Sequence, residues 1–118
     1  MINAVSWNLR LVVREGRLEE FRTLMHEMVR STEAEPGTTA YEWYISDDGV
    51  TCHLHECYAD SGAALTHLGS FGANFAERFL GCVEPTSLCV YGEPSNEVRA
   101  ILDGWGPTYL GPFGGFRR

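Results

Sequence analysis

The chain has 118 residues, a formal net charge of −7 and no lysine among its nine basic residues. A composition of 44% hydrophobic and 21% charged residues is that of one globular domain with a modest core. The acidic balance argues against nucleic-acid and anionic-membrane partners, both of which need a basic footprint, and no apolar run reaches the roughly 18 residues of a membrane span.

The order of elements follows from changes in hydrophobic period. Val5, Trp7, Leu9, Leu11 and Val13 alternate with Ser6, Asn8 and Arg10, which predicts a strand with one apolar face. From Arg17 to Glu33 the period becomes helical, through Leu18, Phe21, Leu24, Met25, Met28 and Val29, and Pro36-Gly37 ends it. Residues 39–46 are aromatic-rich and predict a second strand. Asp47-Asp48-Gly49 is a hairpin signal, so the third strand, residues 50–58, lies antiparallel to the second.

Asp60 and Ser61 are N-cap residues for a helix starting near Gly62. Its stripe is Leu65, Leu68, Phe71, Phe75 and Phe79, and the glycines at 69 and 72 predict a kink or two short helices. A fourth strand follows over 85–91. The order β-α-β-β-α-β predicts an α+β, ferredoxin-like fold: a four-stranded antiparallel sheet with two helices on one face. Large rings on both alternations of the second strand leave the other face apolar. A second copy packed on it, giving a homodimer, would cover it.

The expected domain is 1–93, followed by an addition at 94–118. There Ser95 caps a short helix containing Val98, Ile101 and Leu102, and a Gly/Pro-rich tail carries Trp105, Tyr109, Phe113 and Phe116. So many rings argue against a solvated tail and place it on apolar surface of its own or a partner subunit.

Cys52, Cys57, Cys82 and Cys89 show no C-x-x-C spacing, and the N-terminus has no basic-then-apolar leader pattern. Both predict free thiols and a cytoplasmic setting. His53 and His55 share one strand face roughly 6–7 Å apart, while Glu56 points to the other. With only two converging ligands, no metal is expected there.

Glu56 and Tyr58 instead share a face with Cys52 and Leu54, and His67 lies two turns into the following helix. Glu56 and His67 therefore face one space between sheet and helix. Such a pair either moves protons near neutral pH or simply ties helix to sheet. Asn8 is a polar residue that strand propensity disfavours; it is either a ligand contact or a solvent-facing amide. No phosphate loop, nucleophile elbow or flavin or nicotinamide fingerprint is present.

Glu35-Pro36-Gly37 before an aromatic strand, then Glu56-Cys-Tyr58-Ala-Asp60-Ser-Gly-Ala63-Ala-Leu-Thr-His67, resembles the antibiotic biosynthesis monooxygenase family over residues 3–92. Tyr58 stands where that family more often has Trp. The resemblance implies a dimeric α/β-barrel and oxygenation of a small phenolic or quinol-type aromatic without a cofactor, the substrate supplying the electrons. By position it implies catalytic roles for Glu56, His67 and Asn8, with Trp43, Tyr58 and Phe71 lining the substrate pocket. Haem-degrading relatives use a histidine further along the second helix; residues 72–79 contain none, which argues against haem. A non-catalytic small-molecule-binding or dimerisation module of the same fold is the alternative.

Overall fold

The computed structural model describes residues 3–118. The alternating segment Val5–Val13 forms β1, and its apolar residues Val5, Trp7, Leu9, Leu11 and Val13 are all buried. Being apolar along its whole length on one face, β1 takes the centre of the sheet. It pairs antiparallel with β3 (Thr51–Tyr58) on one side and β4 (Val83–Gly92) on the other. β2 (Thr38–Ile45) joins β3 through the Asp47–Gly49 turn, where Gly49 has φ +73°, a conformation that favours glycine.

Helix α1 (Leu18–Glu33) buries Phe21, Leu24, Met28 and Thr32, one residue per turn. The second helical region is two helices, α2 (Ser61–Asn74) and α3 (Ala76–Cys82), which meet at Phe75; Gly69 and Gly72 lie inside α2, so the break falls beyond the glycines. The Asp60 carboxylate accepts from the Ala63 N–H at 2.8 Å and fixes the start of α2. The helices cover the Trp7–Leu9 face of the sheet, and one apolar core fills the space between the two layers.

The sheet differs from the predicted four strands. A short β5 (Thr108–Leu110) adds to β4 in parallel, giving five strands in the order β2-β3-β1-β4-β5. Three residues between glycine and proline give too little alternation to read as a strand. Between β4 and β5 lie α4 (Asn96–Leu102), capped by Ser95, and a 3-10 turn over Asp103–Trp105. Beyond β5, residues 111–118 are exposed, Phe113 and Phe116 included. Among the described residues no helix is long and apolar enough to cross a membrane.

Candidate active site

The register of the sheet assembles the floor of a cavity. Trp7, Glu56 and Tyr41 lie side by side across β1, β3 and β2, and Leu9, Leu54 and Trp43 form the next row on the same face. Over these rows the helices leave a cavity of about 200 Å³. Its wall is almost wholly apolar, with His67 and Glu56 as the ionisable exceptions beside the phenol of Tyr41.

Glu56 and His67 meet as the alternation predicted: His67 Nε2 lies 3.3 Å from Glu56 Oε1, and both side chains are buried. Tyr58 donates its hydroxyl to the same Oε1. Neither contact uses Glu56 Oε2. The Tyr58 ring also packs between Trp7, at 4.8 Å, and His67, at 5.3 Å, between ring centroids.

A second carboxylate completes the arrangement. Glu35 Oε1 lies 2.9 Å from His67 Nδ1 and also accepts from Thr38 Oγ1 at 2.9 Å. Glu35 sits just past the end of α1, where the Pro36-Gly37 turn delivers it to α2. A Cβ on Gly37 would stand 2.5 Å from the Ala63 Cβ, so this approach needs glycine. The spacing of 32 residues between Glu35 and His67 hides the pair from local reading; Glu35 was legible only as part of a helix-stop motif.

Burial by itself would lower the His67 pKa, but the hydrogen bonds and negative charges of Glu56 and Glu35 outweigh it and hold it above the ordinary imidazole value. His67 thus holds its proton more tightly than an ordinary imidazole, with Nδ1 toward Glu35 and Nε2 toward Glu56. Burial, then the Glu56 charge, pushes the Tyr58 and Tyr41 hydroxyls well above the ordinary phenol value, so both stay protonated. One imidazole thus stands between two acidic side chains beside an apolar cavity.

The other expected site residues divide. Trp43 and Phe71 line the cavity, and the buried Trp43 indole N–H has no acceptor among the described residues. Tyr58 acts on the cavity through Glu56 rather than as lining. Asn8 is outside it: β1 turns Trp7 and Leu9 to the cavity, and Asn8 stands between His55 and Cys89 on the uncovered face. Its placement beside the pocket is therefore corrected by the pleat of its own strand. His55 contacts Cys57 on that face, Nε2 to Sγ 3.4 Å, and among the described residues no three His, Cys, Asp or Glu side chains gather as metal ligands.

Three solved structures share the fold. MupZ from Pseudomonas fluorescens superposes with a TM-score of 0.87 at 22% identity, covering 98% of this chain and 95% of its own. Rv0793 from Mycobacterium tuberculosis gives 0.67 at 26% identity, covering 79% and 97%. SnoaB, a cofactor-independent oxygenase from Streptomyces nogalater, gives 0.66 at 14% identity, covering 80% and 96%. No curated protein matches the chain. The family model for antibiotic biosynthesis monooxygenases matches residues 5–85, from β1 into β4 and across Glu35, Glu56 and His67, and the chain belongs to that family.

Proposed function

We propose that this protein is a cofactor-independent monooxygenase for a small phenolic or quinol-type aromatic, with Glu56 as the base and His67 as its charged partner. The observation that carries the reading is the Glu35–His67–Glu56–Tyr58 chain ending at an apolar cavity. Glu56 Oε2, unused by His67 and Tyr58, accepts the substrate proton. The imidazolium steadies the substrate anion that results. That anion reduces dioxygen: a ring C–H ortho or para to the hydroxyl becomes C=O, giving a quinone, one oxygen atom is retained, and the other leaves as water with the ring hydrogen and the hydroxyl proton. The substrate supplies all four electrons. An apolar wall excludes water from the anion and its peroxide.

The uncovered sheet face supports a homodimer, since Tyr44 and Tyr91 are exposed on it beside Asn8 and His55. Sedimentation velocity tests this directly. The exposed Phe113 and Phe116 fit a tail, within the 94–118 addition, that lies on the partner. Four free cysteines fit a cytoplasmic setting.

The second reading, a binding module without catalysis, draws on the same contacts, because they also tie α2 to the sheet and to the end of α1. Oxygen-electrode measurements with single-ring phenol and quinol substrates separate the two. For an oxygenase, Glu56→Gln lowers oxygen uptake by roughly 10²–10⁴-fold. No uptake by the wild type with any such substrate, while ligand still binds, leaves the module.

A further inference from the structure

We propose that Ile101 and Trp105 set the size limit on the substrate, restricting the cavity to single-ring aromatics. This rests on the oxygenase reading for the identity of the ligand, but not for the limit itself. Both residues line the cavity, and both lie beyond residue 85, where the family match ends. The part of the wall they form is therefore supplied by the chain's own C-terminal addition rather than by the common domain.

Trp105 connects to the reacting groups through Phe71. His67 and Phe71 are four residues apart on α2, so their side chains project from one face about 6 Å apart along the axis. The Trp105 ring packs on Phe71 at 6.2 Å between centroids. The indole therefore packs on the residue one turn along α2 from the imidazole and lines the same cavity. Ile101 is 45% exposed while lining the same cavity, which places it at the mouth. The volume agrees: about 200 Å³ is available, and an apolar cavity of about 150 Å³ accommodates benzene.

A wall acts as a size limit only if it is fixed, and this one is tied at both ends. The Ser95 N–H donates to Ser61 Oγ at 2.9 Å, joining the start of α4 to the start of α2. Tyr109 donates its hydroxyl to Asp103 Oδ1 at 2.6 Å, and the Arg99 guanidinium lies 4.1 Å over its ring. Val98 and Leu102 anchor α4 in the core.

Calorimetric titration of the full chain with phenol and with 2-naphthol tests the limit. The wild type is expected to bind phenol and to discriminate against 2-naphthol. Trp105→Ala and, independently, Ile101→Ala should each shift the naphthol-to-phenol affinity ratio toward naphthol, by about tenfold for the indole. Ile101 is half in solvent, so its truncation spares the fold, and a thermal melt of each variant confirms this. An unchanged ratio in both variants overturns the size limit, whatever the oxygen electrode shows. A shifted ratio without oxygen uptake by the wild type upholds the limit and overturns only the oxygenase reading. Failure of the wild type to bind either phenol overturns both.

Discussion

The imidazole of His67 donates Nδ1 to Glu35 at 2.9 Å and faces Glu56 with Nε2 at 3.3 Å, so one buried ring joins the end of α1, the third strand and the second helix. Two carboxylates share one imidazole. Removing either should expose what each contributes.

Glu35→Gln retains a side chain of the same shape with an acceptor oxygen, but removes a charge. The His67 pKa should therefore fall, because one of the two groups opposing the burial penalty is gone. Loss of a charged hydrogen bond in this partly buried setting should cost about 1–3 kcal/mol. The titration of the His67 ring protons by NMR reads the first effect, and urea unfolding at pH 6 reads the second. An unmoved His67 titration would mean that Glu56 alone sets its charge.

The raised pKa of His67 has a definite sign in stability. The folded protein holds this proton more tightly than the unfolded chain, whose imidazole titrates near 6.5. Between the two values the native state binds more protons, so stability falls as pH rises. The contribution is complete below about 6.5 and is lost as pH passes through the raised value. Tyr58 and Tyr41, the other titratable groups against the ring, stay protonated in this window, and Glu35 and Glu56 supply the charges that raise it. In urea denaturation, the stability gap between wild type and His67→Gln should be widest near pH 6 and narrow as the solution becomes alkaline. A gap that is constant or grows with pH would contradict an imidazolium at this position.

Much of this site was legible in the chain. Period-2 alternation put Glu56 and Tyr58 on the core face and His53 and His55 on the other, and the Asp60 cap fixed the helical phase of His67. The same alternation already separated Asn8 from Trp7; its low strand propensity and the family resemblance drew it toward the pocket. Glu35 escaped because nothing local couples the end of one helix to the middle of another. That contact depends on two backbones meeting where Gly37 passes Ala63. The fifth strand escaped for a related reason: β5 has three residues, and its pairing with Cys89–Tyr91 is set by the α4 excursion rather than by its own pattern.

The close approach at Gly37 can be tested against a glycine of the same helix layer. A methyl at Gly37 collides with Ala63 Cβ, so Gly37→Ala must move the turn that carries Glu35. It should destabilise by about 1–3 kcal/mol and lower the His67 pKa, as Glu35→Gln does. Gly69 lies mid-way along α2, and a Cβ there meets no atom within 4 Å. Gly69→Ala should therefore stabilise by about 0.5–1 kcal/mol through helix propensity and leave the His67 titration in place. Thermal melts and the same NMR titration score both variants. A Gly37→Ala protein with unchanged stability and an unchanged His67 would refute the positioning role of the turn.

Tyr58 provides the last test, because it touches Glu56 without lining the cavity. Its hydroxyl is buried, and it donates to the oxygen that also faces His67. Tyr58→Phe keeps the ring stacked between Trp7 and His67 but removes the donor. The carboxylate then loses a hydrogen bond that favours its charged form, at a cost of about 1–3 kcal/mol. If Glu56 is the base, the acid limb of the oxygen-uptake profile moves to higher pH, while the binding of phenol changes little. If Tyr58 only packs, stability changes and the profile does not. Measuring uptake across pH for wild type and Tyr58→Phe with one substrate therefore separates a hydroxyl that tunes the base from a ring that fills space.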